Sequence, residues 1–434
     1  MKRIPLRRKY RPIDGRLLNC TISFEIAEYF LFASDVEFKQ PKNFVAVPFK
    51  YHERVELTID DITNLGMGLG RIDDWVVMVP YVFLGEVAIV RIHKNLKNYS
   101  IGDLIEVVKP SPDRIEPKCS LFGICGGCQY QHIRYEKQLD LKRHHVSTAM
   151  KKLAGITFPV NECLHGDRPY NYRSKITPHF QKSVPPIGFL KEGMRTIVDV
   201  EQCPIATESI NNSLGAAREN ILRNKSSLKR GGTLLLRDLG QRVETNPKVV
   251  VSQKIGNFNF SYRAGEFFQN NPYALPRLTN FVVQAALGPK YLIDAYCGVG
   301  VFGIMAAKNF EKVLGIEVSE TAINFARQNA RANEIDNIRF IVGVAEQIFE
   351  NAEFAGSETS IIIDPPRAGC AETFLSQLIA FCPAKIVYVS CAPDTQARDL
   401  KFLAQQYSIE EIQPIDMFPQ TRHMENIVVL KWKS

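Results

Sequence analysis

The spacing of apolar positions divides this chain into four stretches. Arg54 to Pro112 carries short apolar runs at Val55 to Ile59, Trp75 to Val79, Gly85 to Ile92 and Leu104 to Val108, with a glycine-rich turn at Gly66 to Arg71. Runs of this kind, broken by glycine turns, predict a five-stranded β-barrel of the oligonucleotide-binding type. From residue 113 to 264 a helix-like stretch after Tyr130 gives way to polar β segments, which predicts an α+β unit. The aromatic loop Phe267 to Pro272 then leads into a helix, and from Lys290 onward strands and helices alternate. That alternation predicts an α/β fold with a mostly parallel sheet, whose ligands sit at the carboxyl ends of the strands. The boundaries drawn are 1–53, 54–112, 113–264 and 265–434; within the first, Asn19 to Lys50 shows no period and stays unassigned.

Composition narrows this picture. A length of 434 residues and a hydrophobic content of 45%, with no apolar run of membrane-spanning length, indicate a soluble chain of two to four domains. Met1 to Arg16 is basic and not signal-like (Lys2, Arg3, Arg7, Arg8, Lys9, Arg11, Arg16); it reads as a solvated arm or an overextended start ahead of an RNA contact. A net charge of +8 leans towards a nucleic-acid partner. His93 to Tyr99 and Arg168 to Lys175 interleave cations with aromatics as single-stranded sites do, although core tyrosines and surface arginines explain the second nearly as well.

Ten cysteines, unevenly spaced and without secretory context, argue for a reducing, cytoplasmic compartment and for metal or catalytic use. Cys119, Cys125 and Cys128 are clustered around Gly126-Gly127, and Cys203 follows far downstream, before Pro204. The glycine pair suits a backbone that wraps a bound group, through positive φ and close approach. Thiolates serve zinc and iron–sulfur centres alike. Three clustered cysteines plus a remote one before proline fit a 4Fe-4S cluster better than the paired two-residue spacings of structural zinc.

The last stretch carries the candidate chemistry. Gly298, Gly300 and Gly303 satisfy the dinucleotide fingerprint, with Glu317 at the next strand end, so a dehydrogenase must be weighed. Against it, Asp294 puts a carboxylate ahead of the glycine loop, where it suits the sulfonium and ammonium of S-adenosylmethionine better than a pyrophosphate. Asp364 ends another strand before Pro365-Pro366-Arg367, and Ile386 to Val389 delivers Ser390-Cys391 to the same sheet edge. A cysteine where an apolar strand breaks into a turn is a candidate nucleophile, against the commoner packing cysteine. Glu425, in the aromatic and proline segment that starts at Ile415, is a candidate base, against a solvent-facing glutamate. Gln269 is placed to hydrogen-bond a ligand.

Taken together, the Cys119–Cys125–Cys128–Cys203 set, Asp364-Pro365-Pro366-Arg367, Ser390-Cys391 with Arg398-Asp399, and Asp416 to Glu425 resemble the S-adenosylmethionine-dependent uracil-C5 RNA methyltransferases. The resemblance is to the branch with an N-terminal TRAM barrel and a 4Fe-4S cluster that modifies 23S ribosomal RNA, and it runs from about Arg54 to Lys433. It implies a Rossmann-like class I methyltransferase domain, a TRAM barrel and a central domain carrying the cluster on Cys119, Cys125, Cys128 and Cys203. It also implies that Gln269, Tyr296, Glu317 and Asp364 contact S-adenosylmethionine, with Cys391 as nucleophile and Glu425 as base. The implied partner is RNA, 23S ribosomal RNA ahead of transfer RNA, for a cytoplasmic monomer with no membrane attachment. Val301 and Val344 stand where some relatives have polar cofactor contacts, and Ala392 replaces a commoner asparagine, so these receive no role.

The reaction independently requires such a pair. Uracil C5 is a poor nucleophile, but thiolate addition at C6 creates an enolate whose C5 attacks the sulfonium methyl, after which a base removes the C5 proton. The target uracil must leave its stack, which fits single-stranded or loop RNA. An exocyclic-nitrogen methyltransferase needs neither Cys391 nor Glu425. A radical enzyme spaces its first two cluster cysteines more closely than Cys119 and Cys125. A non-catalytic iron–sulfur RNA-binding protein has no use for either catalytic residue.

Overall fold

In the computed structural model, which describes residues 40–228 and 230–433, the stretch after Arg54 folds into six strands, one more than expected. β1 (Arg54–Thr58), β2 (Asp61–Ile62), β3 (Met67–Ile72), β4 (Trp75–Pro80), β5 (Val87–Asn95) and β6 (Tyr99–Lys109) form one sheet in the order β1-β5-β6-β4-β3-β2. The run read as a turn, Gly66 to Arg71, turns only at Gly66 (φ +76°) and is strand beyond it. Its other glycines serve close approach: a Cβ at Gly70 would stand 2.1 Å from the Thr58 carbonyl oxygen. Likewise, most of the His93 to Tyr99 stretch is strand, because β5 runs to Asn95 and β6 starts at Tyr99. The basic run from Lys2 to Arg16 lies outside the described residues.

Helix α1 (Tyr135–Ala149) follows the clustered cysteines and buries Leu141, His145, Val146 and Ala149, a spacing that places them on one face. Val146, Ala149 and Met150 share an apolar cluster with Ile361, Tyr388, Leu400 and Tyr407, so α1 belongs in space with the C-terminal sheet. β7 (Leu164–His165) adds to that sheet, pairing with Ile415 and Asp416. The rest of this stretch is short strands, helix α2 (Glu208–Arg223) and a hairpin of Val250–Ile255 and Phe258–Arg263.

After helix α3 (Leu275–Ala286), apolar runs buried on both faces form parallel strands. These are β8 (Tyr291–Ala295), β9 (Lys312–Glu317), β10 (Ile338–Val342), β11 (Thr359–Ile363) and β12 (Lys385–Ser390), joined by α4 (Val301–Ala306), α5 (Glu320–Ala332) and α6 (Glu372–Phe381). Helix α7 (Pro393–Leu403) leads to β13 (Tyr407–Asp416) and β14 (Glu425–Trp432). The sheet order is β10-β9-β8-β11-β12-β14-β13-β7, with β14 antiparallel to both neighbours. Five parallel strands therefore point their carboxyl ends at one edge, and β14 starts from that edge. Among the described residues, no helix is long and apolar enough to cross a membrane.

Candidate functional site

Strand ends assemble the site. Glu317 is the last residue of β9, while Asp364 and Cys391 directly follow β11 and β12. Ser390 pairs with Asn426, so Cys391 comes beside Glu425, the first residue of β14. Glu425 is only 6% exposed, and burial, then the charge of Asp364, pushes its carboxyl well above the usual range, with Arg367 opposing. Burial holds Asp364 up to about 7. The Cys391 thiol is pushed up to about 11, first by burial and then by Glu425, with Arg367 working against the rise. One thiol, two carboxyls and one exposed guanidinium thus act on one another at the sheet edge. Such a set can deliver a nucleophile and receive a proton at adjacent atoms of one ring.

The residues ahead of these are held by the fold. Glu317 accepts the Gly298 N–H at 3.3 Å and the Ser319 N–H at 3.0 Å. Tyr296 follows β8 with φ +64°, its ring edge-on to Phe374 at 5.8 Å. Asp294 is turned inward, which corrects its reading as a carboxylate facing a sulfonium. Its Oδ2 accepts the Gly303 N–H at 2.8 Å, and burial holds its carboxyl up to about 7, so it ties β8 to α4. Half-buried Gln269 lies on a loop clamped from below. The Arg237 guanidinium donates to the Ala264 and Glu266 carbonyls at 2.8 and 2.9 Å, and Lys175 Nζ donates to the Gly265 and Glu266 carbonyls at 3.1 Å. Phe267, beside Gln269, is 77% exposed.

Much of the aromatic and basic stretch near Arg168 is likewise structural. Arg168 stacks on Tyr273 at 4.5 Å, and the buried Tyr172 donates to the Pro419 carbonyl at 2.9 Å. Arg173 lines a cavity of about 680 Å³ with Cys119, Cys125, Cys128 and Cys203, so the remote cysteine joins the clustered three. Burial holds the Cys128 thiol up to about 12, and the charges of Cys203, Cys125 and Cys119 add to it. Among the described residues, no three His, Cys, Asp or Glu side chains stand together as a site for a single metal ion. The expected glycine loop holds only for close approach at Gly126. Neither Gly126 nor Gly127 is among the residues at positive φ, but a Cβ at Gly126 would stand 3.0 Å from Glu192 Oε2 and 3.2 Å from the Leu190 carbonyl oxygen, whereas one at Gly127 would meet Cys125 Sγ at an ordinary contact distance of 3.5 Å.

A second cavity, of about 280 Å³, is lined by Cys391, Arg367, Arg422 and His423, and from far away in sequence by Asn64, Leu65 and His145. Arg367 donates to His423 Nδ1 at 3.1 Å, and Asn64 Nδ2 donates to the Asp394 carboxylate. Arg367, Arg422 and His423 stood inside motifs singled out from the sequence, without roles of their own. Asn64 and His145 carried no signal, because only the tertiary fold brings them to Cys391.

A family model described as tRNA (uracil-5-)-methyltransferase matches residues 232–433, and one for the TRAM domain matches residues 50–105. The chain is 39% identical over 417 residues to the tRNA (uracil(54)-C(5))-methyltransferase of Schizosaccharomyces pombe, an alignment covering 88% of this chain and 79% of that one. The chain belongs to the uracil-C5 RNA methyltransferase family. The Saccharomyces cerevisiae enzyme of the same description is 33% identical to this methyltransferase over 477 residues, covering 89% and 75% of the two chains. The crystal structure of the Pyrococcus abyssi tRNA (uracil-54, C5)-methyltransferase with S-adenosyl-L-homocysteine superposes with a TM-score of 0.70 at 26% identity, covering 87% of this chain and all of that one. This chain is accordingly an S-adenosylmethionine-dependent uracil-C5 RNA methyltransferase of the class I fold, with a TRAM domain ahead of it. The dehydrogenase, nitrogen-methylating, radical and non-catalytic readings fall away.

Proposed function

We propose that this methyltransferase converts a loop uridine of transfer RNA, at the position corresponding to uridine 54, to 5-methyluridine through Cys391 and Glu425. The observation that carries the catalytic part is the meeting of Cys391, Glu425 and Asp364 at one strand edge. Support for the substrate comes from the fission yeast, budding yeast and archaeal relatives, each a tRNA uracil-54 C5-methyltransferase. The 23S ribosomal RNA expected from the four-cysteine set is the second reading, favoured by the shared cavity of those cysteines.

Bound S-adenosylmethionine supplies an electrophilic methyl, with Gln269, Tyr296, Glu317 and Asp364 as its proposed contacts. Cys391 adds as thiolate to uracil C6, forming a carbon–sulfur bond and moving the ring electrons onto C5 and O4. The nearby Arg367 guanidinium favours the thiolate. Once C5 carries the methyl, the Glu425 carboxylate takes the C5 proton, and the electrons of that C–H bond expel the Cys391 thiolate. Burial raises the proton affinity of Glu425, which makes its ionised form the stronger base while reducing the fraction that is ionised.

Cys119, Cys125, Cys128 and Cys203 are the proposed ligands of a 4Fe-4S cluster. An all-thiolate donor set around one cavity fits that group. When bound, the cluster supplies a four-point tie between Cys203 and the clustered cysteines, and no step of the reaction passes through it.

Methylation of unmodified transfer RNA and 23S ribosomal RNA by the purified enzyme, with the product mapped by mass spectrometry, tests the substrate. A single 5-methyluridine in the transfer RNA loop is the expected result; product confined to ribosomal RNA reverses the order of the two readings. Cys391→Ala is expected to abolish product while S-adenosylmethionine still binds by calorimetry, and Glu425→Gln to accumulate a protein–RNA adduct on denaturing gels. Full turnover by Cys391→Ala removes the covalent mechanism.

A further inference from the structure

Arg398-Asp399 is a motif that the chemistry above does not use, yet Asp399 is 1% exposed and fully engaged. Its Oδ1 accepts from Nε and Nη2 of Arg398 at 2.9 and 2.7 Å. Its Oδ2 accepts the Cys370 N–H at 2.8 Å and the Tyr388 hydroxyl at 2.6 Å. Arg398 Nη2 also donates to the Ala368 carbonyl at 2.9 Å. Thr395 is one turn earlier on the same face of α7. Its hydroxyl lies 3.1 Å from the Arg367 carbonyl and 3.0 Å from the Ala392 carbonyl, and shares its one proton between them. Three side chains of α7 thus grip the backbone of Arg367, Ala368 and Cys370. Between these, Gly369 sits at φ +79°, and a Cβ there would stand 2.6 Å from Arg398 Nη2 and 2.7 Å from Asp399 Oδ2. Only glycine lets this turn lie against the pair.

The gripped turn follows Asp364 and carries Arg367, whereas α7 begins at Pro393, just after Cys391. The grip therefore joins two strand ends of the site. Arg367 is exposed, and a long exposed cation does little for a neighbour unless its geometry is fixed. Here its backbone is seated on α7, and its guanidinium donates to His423 Nδ1 at 3.1 Å. Arg367 and Cys391 line the same cavity, where the guanidinium opposes the rise of the thiol. Of the other charges about this thiol, Glu425 and Asp364 act against the thiolate, Asp394 is bonded to Asn64, and Arg422 is a second cation on the cavity wall. His145 and His423, both held down to about 4 by burial, are neutral at physiological pH.

We propose that Thr395, Arg398 and Asp399 are positioning residues, which seat the turn after Asp364 on α7 and so hold the Arg367 guanidinium at the Cys391 thiol. They act through Arg367. Their effect on methylation rests on Cys391 being the nucleophile, whereas their effect on the charge at the thiol does not.

Alkylation of Cys391 in the full chain by iodoacetate and by iodoacetamide, read by peptide mass spectrometry, measures the charge held at the thiol. Both reagents need the thiolate, so the ratio of their rates cancels the thiolate fraction and leaves the pull of the local field on the anionic reagent. Arg367→Met is expected to lower the iodoacetate-to-iodoacetamide ratio about threefold, the effect of one screened unit charge about 5 Å away in water-like surroundings. Arg398→Lys keeps a cation for Asp399 but loses the fork that reaches Ala368, and Thr395→Val keeps the shape without the hydroxyl. Each leaves the charges of the site unchanged and is expected to lower the ratio, Arg398→Lys by about twofold, and to add nothing on top of Arg367→Met. Adduct formation with 5-fluorouridine RNA is expected to slow by a comparable factor. An unmoved ratio in both Arg398→Lys and Thr395→Val overturns the clamp. So does an unmoved ratio in Arg367→Met, or a second drop when Arg398→Lys is added to it. A merely structural loss lowers the urea midpoint and opens the thiol to both reagents alike, leaving the ratio where it was. A lowered ratio with undiminished adduct formation leaves the clamp standing and counts against Cys391 as the nucleophile.

Discussion

Strand ends bring Cys391, Glu425 and Asp364 together, and burial sets when each can act. A thiol held up to about 11 carries little thiolate at neutral pH. Adduct formation with 5-fluorouridine RNA is therefore expected to quicken with pH, by up to about tenfold per unit below the thiol pKa, as read by intact mass. Arg367→Met should move that profile to higher pH, because the guanidinium opposes the rise. A profile flat from pH 6 to 9, an interval of about three units below such a thiol, speaks against attack by a thiolate with this pKa. Asp364 and Asp294, both held at about 7, give a second pH effect. Their folded values lie above the unfolded one of about 3.9, so the stability they contribute is full below that value and is lost as pH rises through 7. A sulfonium beside Asp364 favours the ionised form. Binding of S-adenosylmethionine should thus release close to one proton near pH 6, tighten between about pH 6 and 8, and lose most of this dependence in Asp364→Asn. Calorimetry in buffers of different ionisation heat measures the proton directly.

Among the elements, α1 and the segment between β13 and β14 depend on each other. Lys142 Nζ on α1 donates to Asp416 at 2.6 Å and to the Phe418 carbonyl at 3.1 Å, and the Tyr135 hydroxyl reaches Asp416 at 3.0 Å. Lys142 and Asp416 are both fully buried, so removing one charge strands the other. Lys142→Met is expected to cost about 3–5 kcal/mol in urea unfolding and to lower kcat, while S-adenosylmethionine affinity holds. A loss under about 1 kcal/mol would show that the segment is fixed by other contacts. Asp364 and Cys391 were legible in the sequence, because Ile361 to Ile363 and Ile386 to Val389 are apolar without interruption and parallel strands share one direction. Lys142 was not, since a lysine on an amphipathic helix reads as solvated and its partner is 274 residues away. Glycine misled at β3, where turn and close approach call for the same residue. The position of Asp294 on its strand was readable, but not the direction of its carboxyl, which a backbone N–H of α4 decides.

Across the whole molecule, the cysteine cavity, the TRAM side and the catalytic sheet meet on the segment from Met417 to Met424. Gln420 is held at φ +68°, a conformation costly outside glycine, by bonds at both ends of its peptide unit. Its carbonyl accepts the N–H groups of Gln129 and Tyr130 at 3.1 and 3.0 Å, and its own N–H donates to Gln138 Oε1 at 3.1 Å. Gln129 directly follows Cys128, and His423 walls both cavities. Whatever holds Cys128 therefore also holds the chain that enters β14 at Glu425. Tyr296 and Glu317 lie on other elements, and the loop of Gln269 meets the segment only at its start, where Asn271 Nδ2 donates to the Met417 carbonyl at 3.1 Å. Loss of the proposed cluster should accordingly damage turnover more than cofactor binding. Enzyme purified without oxygen is expected to contain about four irons per chain, and Cys128→Ser or Cys203→Ser to lose most of them. Those variants should melt several degrees lower and turn over more slowly, with S-adenosylmethionine affinity within about twofold of wild type. Stoichiometric zinc in place of iron would reassign the four cysteines, and iron-depleted enzyme with undiminished kcat would cut the connection from Cys128 through Gln420 to Glu425.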